Sequence, residues 1–199
     1  MRKTLTVAFE TELGGGRSLR GFEDEDAEEL FAVIDSNRAH LAQWMPFVGQ
    51  TRGVVDSLAF IRAAHRQHEE NRGMQLAVIQ DGRIIGVAGF HAIDWNRRST
   101  SIGYWLAADH QGAGTMTVAV SALLNHAFHC LKLTRVEIRA GVANTRSRAI
   151  PERLGFKEEG VLPAAERIGT RLIDHVVYAM TAREWKRAAR TTRERRPVK

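Results

Sequence analysis

The chain has 199 residues, with 29 Lys and Arg against 23 Asp and Glu, a formal net charge of +6 and a single cysteine, Cys130. That length suits one domain with a true hydrophobic core, and one cysteine excludes an intrachain disulfide and the Cys-rich spacing of a structural zinc site. The opening MRKTLTVAFETELGGG alternates apolar with polar residues, and no apolar run approaches a membrane span, so a cytoplasmic protein without membrane contact is expected.

Residues 4–11 place Leu5, Val7 and Phe9 on one face, as a half-buried strand does, and Gly14-Gly15-Gly16 turns the chain into a short segment at 17–21. From Glu23 the period becomes helical, with Ala27, Leu30, Phe31 and Ile34 at i, i+3, i+4 and i+7 behind the acidic run Glu23–Asp26. A short helix is expected over 38–44, stopped at Met45-Pro46 because proline disfavours helical geometry in the residue before it. Another follows over 53–71, with Val54, Leu58 and Ile61 inward. Two β-branched runs at 74–79 and 83–93, joined by Asp81-Gly82, read as a hairpin. Beyond them the pattern predicts strands at 99–107, 135–142, 156–161 and 175–181 and helices at 114–131 and 147–154. The sum is α+β, a mixed sheet flanked by helices. Residues 186–199 (KRAARTTRERRPVK) hold seven basic residues and one acidic residue, which is the whole charge excess. We read 1–185 as one domain and 186–199 as a basic, flexible tail, either solvated or in weak contact with a polyanion.

The run IGYWLAADHQGAGTMTVAVSALL sets a strand, a glycine-containing loop and a helix in succession, so free main-chain amides converge at a positive helix end. Such a turn suits a pyrophosphate, and Gly112 and Gly114 allow close approach of a ligand. It lacks the Gly-Lys-Ser/Thr of a Walker loop and the six-residue Rossmann glycine spacing. His65/His68 and His126/His129 have i, i+3 spacing without a third ligand, so no metal is expected. Cys130 reads as a small buried apolar residue.

This turn resembles the acyl-CoA signature of the GNAT acetyltransferases, Gln/Arg-x-x-Gly-x-Gly/Ala, with Gln111 and Gly114 in place and Met116 at the last position. GYWLAADHQGAGTMT, followed by VANTRSRAIPERLGFKEEGVLPAAE, resembles the RimJ/RimL-type branch, as does the Trp44-Met45-Pro46 turn, so the likeness covers most of residues 4–185. The resemblance implies a GNAT fold, a mostly antiparallel sheet whose middle strands splay, with acetyl-CoA as co-substrate and no metal. It assigns cofactor contacts to Tyr104, Trp105, Leu106, Gln111, Gly112, Ala113, Gly114, Thr115, Met116, Asn144 and Ser147. Amides around Trp105 and Leu106 would hold the thioester, and Gly103 would mark the bulge that opens the strand.

Further implications concern the chemistry. Ser147, near the sulfur, would donate or relay a proton to the departing thiolate; its alternative is a helix cap. Many GNAT enzymes carry a tyrosine seven residues after the asparagine, where this chain has Pro151. Glu166, in the LPAAER loop, would serve as base, its alternative being a surface pair with Arg167 or Arg171. Trp44, Met45 and Glu166 would border the acceptor. Glu137 reads as a structural ion pair with Arg135 and Arg139, and His91 and His175 could line an acceptor pocket. The branch implies an amine acceptor such as the N-terminus of a ribosomal protein, and a homodimer. A small-molecule amine, a non-catalytic CoA-binding module and a nucleic-acid protein relying on the tail stay open.

Overall fold

The computed structural model describes residues 9–194, so positions 4–8 of the first expected strand and 195–199 of the tail lie outside it. Eight strands are formed: β1 (Thr11–Gly14), β2 (Arg17–Arg20), β3 (Met74–Gln80), β4 (Arg83–Phe90), β5 (Ser99–Leu106), β6 (Arg135–Gly141), β7 (Lys157–Ile168) and β8 (Arg171–Thr181). They make one sheet in the order β1-β2-β3-β4-β5-β6-β8-β7. Helices α1 (Ala27–Ser36), α2 (Arg38–Leu41), α3 (Val54–Glu69), α4 (Thr115–Asn125), α5 (Thr145–Leu154) and α6 (Ala182–Glu194) flank it.

Successive strand residues point to opposite faces, and both faces of the central strands are covered. Leu76, Phe90, Ile102, Val136 and Tyr178 meet Val120, Leu123 and Leu124 of α4 and Trp185 of α6. On the other face Ala77, Ile79 and Val87 meet Leu30 and Ile34 of α1 and Ile61 of α3. That double burial is why β3 and β4 read as nearly unbroken apolar runs. Their turn takes positive φ at Asp81 (50°) and Gly82 (78°), as expected of a two-residue hairpin.

All neighbouring strands are antiparallel except β5 and β6. Their parallel pairing ends at Ile102↔Ile138. Beyond that point β5 runs on to Leu106 held by β4, while β6 runs on to Gly141 held by β8. The two strands therefore diverge, and the divergence opens the sheet. Gly103 is not a bulge, because the β4–β5 register is regular through Gly89↔Gly103. It is instead a close approach: a Cβ there would collide with the His91 ring.

Three further expectations change. LPAAER lies inside β7, across an irregularity between Leu162 and Glu166. Ala164 there takes φ 51°, and its N–H bonds the Asp174 carboxylate at 2.7 Å in place of a ladder partner. The helix expected to reach 131 ends as α4 at Asn125 and continues as a π turn, His126–Cys130, whose altered phase leaves Cys130 exposed. Helix α6 was not expected, and it runs across residue 186, where the sequence places the start of the tail.

Candidate active site

A cleft of about 830 Å³ follows the divergence, bordered by α2, β5, the turn before α4 and the start of α5. Alternation of ladder bonds decides which main-chain groups face it. His91 N–H bonds Ser101 C=O and Ala107 N–H bonds Ile85 C=O, so odd-numbered residues from 101 to 107 face β4. The groups left facing the opening are those of Tyr104 and Leu106. This corrects the expectation for Trp105, whose amide is turned to Val87; its place in the site is as a lining residue.

At the glycine turn, Gln111 N–H is already bonded to Ala108 C=O at 3.2 Å. Among the described residues the amides of Gly112, Ala113 and Gly114 have no backbone acceptor. Gly114, at φ 77°, is the N-cap of α4, and no side chain caps that end, so the first-turn amides of Thr115 and Met116 are orphans as well. These five amides at a positive helix end fit an anionic diphosphate. The Thr115 side chain is buried and its hydroxyl accepts from Arg17 at 3.5 Å, while Met116 is a core residue that also lines the cleft.

The Gln111 side chain spans the mouth: its Nε2 lies 2.8 Å from His40 Nε2, and its Oε1 accepts from Arg146 at 2.8 Å. His40, Arg146 and Arg153 all line the cleft and were missed from sequence. A signal was present. Arg146, Ile150 and Arg153 recur at i, i+4 and i+7, one face of a helix.

Asn144 is the N-cap of α5, its Oδ1 accepting Ser147 N–H at 3.2 Å, so the capping role weighed for Ser147 belongs to Asn144. Ser147 Oγ donates to Tyr104 Oη at 3.4 Å, and Tyr104 O–H donates to Ser147 C=O at 3.0 Å. The cause lies four residues on. Pro151 has no N–H, so Ser147 C=O lacks its helical donor, and the tyrosine of the facing strand supplies one. Burial pushes the Tyr104 phenol well above the usual tyrosine range, so it stays protonated at neutral pH.

Trp44 and Met45 line the cleft from the α2 side, and Trp44 packs over Gly141, where a Cβ would meet its ring at 3.1 Å. Glu166 does not line the cleft. Its carboxylate lies 3.4 Å from His175 Nε2, the partner it has in place of Arg167 or Arg171. His175 pairs across the sheet with Gly141, which connects it to the Trp44 wall. Glu137 is held between Arg135 and Arg139, both at 3.0 Å, which keeps its carboxyl below the usual carboxylate range against the opposing effect of burial. Among the described residues no three His, Cys, Asp or Glu side chains are grouped as a metal site would need, and no helix is long and apolar enough to cross a membrane.

A split sheet beside a helix start with open amides is the arrangement that the resemblance implies for an acyltransferase working on a CoA thioester. The acetyltransferase (GNAT) domain family matches residues 18–157, and the chain belongs to that family, an N-acetyltransferase with acetyl-CoA as donor. It is 35% identical over 170 residues to YdaF of Bacillus subtilis, provisionally named a ribosomal N-acetyltransferase, covering 84% of this chain and 92% of the relative. The ribosomal-protein-serine acetyltransferase of Escherichia coli is 26% identical over 179 residues, covering 90% of this chain and 97% of the relative. Among solved structures, the microcin C7 self-immunity acetyltransferase MccE in complex with acetyl-CoA and AMP matches with a TM-score of 0.82 at 28% identity, over 85% of this chain and 94% of that one.

Proposed function

We propose that this acetyltransferase modifies the N-terminal α-amine of a protein, with ribosomal proteins as the acceptor class. The observation that carries this reading is the lining of the cleft: among the described residues it presents His40, Arg146 and Arg153 and no carboxylate. A polyamine, itself polycationic, finds no counter-charge there. A cleft without a carboxylate base also favours an amine that is partly neutral already. An α-amine is roughly 10% free at pH 7, whereas a lysine amine is under about 0.1% free. The names of the relatives point to the same acceptor class.

In this reading the diphosphate of acetyl-CoA lies on the amides of 112–116, Asn144 offers its Nδ2, and the thioester follows the open edge of β5. The Leu106 amide faces the carbonyl oxygen, an interaction worth about 3–4 kcal/mol per donor in the transition state. The amine nitrogen forms the C–N bond as the C–S bond breaks. Its proton leaves through water toward the Glu166–His175 pair, and the thiolate receives one from the Ser147–Tyr104 hydroxyls.

Incubation with acetyl-CoA and a panel of peptides, lysine derivatives, polyamines and small amines, following thiol release, tests the acceptor. Peptides with free N-termini should lead; a lead by small amines would favour the second reading, a small-molecule acceptor, which the likeness to MccE supports. Equal background for every acceptor would mean a CoA-binding module without turnover. Glu166→Gln should lower turnover most at low pH, where the neutral amine is scarcest, and an unchanged pH profile removes Glu166 from the mechanism.

A further inference from the structure

A second cavity, about 350 Å³, lies on the α1/α3 side of the sheet, walled by Leu30, Ile34, Phe47, Phe60, Val87 and Trp105. That volume is near the lower end of small-ligand pockets, enough for one side chain and too little for a cofactor. Two elements are common to it and the cleft. Trp105 lines both, and the segment that gives Trp44 and Met45 to the cleft continues into Phe47, Gln50 and Thr51 of the pocket.

Of the pocket's polar side chains, one is buried without a hydrogen bond. Thr51 Oγ1 donates to Phe47 C=O at 3.2 Å, and the Asp56 carboxylate accepts the N–H groups of Arg52 and Gly53 at 2.7 and 3.0 Å. Gln50 lies at the exposed mouth. Ser57, on α3, is 1% exposed, and its hydroxyl is, among the described residues, the buried side-chain polar atom without a hydrogen-bond partner. A buried hydroxyl without a partner is costly, and a ligand that supplies one relieves the cost.

Building on the acceptor reading above, we propose that this pocket selects the acceptor by receiving an aromatic side chain at its first or second residue, with a tyrosine hydroxyl meeting Ser57. An apolar body ending in one hydrogen-bonding atom is what six apolar walls and one orphan hydroxyl complement, and tyrosine has that form.

The probes are tripeptide amides X-Ala-Ala and Ala-X-Ala with X as Gly, Phe or Tyr. Each is titrated by calorimetry into the protein saturated with CoA and assayed for thiol release with acetyl-CoA. In one of the two series tyrosine should bind about fivefold tighter than phenylalanine, the span of one neutral hydrogen bond, with glycine weaker than both. Ser57→Ala should equalise tyrosine and phenylalanine without lowering the melting temperature, since it removes an unsatisfied group. Ala59→Phe fills the mouth from an exposed position and should weaken both aromatic probes while leaving the glycine probe and CoA as in the wild type. Aromatic probes that bind without any thiol release would sustain the pocket and sink the transfer reading. Equal binding of all three residues in both series, or aromatic binding untouched by Ala59→Phe, overturns the pocket and leaves transfer to be judged on its own assay.

Discussion

At the scale of single residues, the most informative group is the Tyr104–Ser147–Pro151 set. Pro151 leaves the Ser147 carbonyl without its helical donor, and Tyr104 of β5 supplies one, which sets its hydroxyl beside the cleft. Two effects should separate. Tyr104→Phe removes the donor to a part-buried carbonyl, at a cost of about 1–3 kcal/mol in stability, and should lower kcat by about 10²-fold if the hydroxyl relays the proton. Adding Pro151→Ala returns a helical N–H to Ser147 C=O, so thermal melts of the double variant should recover while kcat stays low; recovery of both would reduce Tyr104 to a structural group. Little of this was legible in the sequence. Tyr104 is assigned to the cofactor by the resemblance alone, because strand alternation identifies the gap-facing residues only once the register with β4 is known. Asn144 and Ser147 were found by motif, but which of them capped the helix depended on where α5 begins.

At the scale of elements, α6 shows a local signal that was present and passed over. Thr181 and Glu184 form a reciprocal box at its start: Thr181 N–H and O–H donate to the Glu184 carboxylate at 3.0 and 2.6 Å, and Glu184 N–H donates to Thr181 Oγ1 at 3.3 Å. Thr-x-x-Glu ahead of Trp185 spells that box, although the basic composition from Lys186 has the character of a tail. Lys157 Nζ, 2.5 Å from the same carboxylate, ties α6 to β7. Its hydrogen bonds to Lys157 and Thr181 lower the Glu184 pKa to about 2 from an ordinary 4.5. A group whose pKa falls on folding stabilises the fold when ionised, so its contribution is complete above pH 4.5 and is lost between there and about pH 2. Melting temperatures of the wild type and Glu184→Gln should therefore differ at about pH 6, with the gap narrowing below pH 4.5 and closing only as the pH falls through about 2. A constant gap across that range would assign the effect to packing.

At the scale of the whole molecule, the α+β class and the hairpin at Asp81-Gly82 followed from periodicity and turn chemistry, and the anion-binding turn from its glycines. The divergence of β5 from β6 was supplied by family resemblance, since no residue in either strand announces where pairing stops. Gly141 is where the parts meet: the end of β6, the Trp44 wall and Ile173 of β8 converge on it, and a Cβ there would stand 3.2 Å from the Ile173 side chain. Gly141→Val should displace Trp44 and lower kcat/KM for the acceptor by about 10- to 100-fold, as small misplacements of a positioning wall do, with CoA affinity unchanged in calorimetry. A parallel loss of CoA affinity would show that the two halves are mechanically joined.

In the proposed reading most of the donor's contacts, at residues 104, 106 and 112–116, are peptide groups, which do not depend on side-chain identity, whereas the acceptor would meet side chains from separate helices and loops. Mutation can therefore rewrite what this chain acetylates without disturbing what it acetylates with. One backbone design can in this way serve many targets, each reached by exchanging residues on the opposite wall.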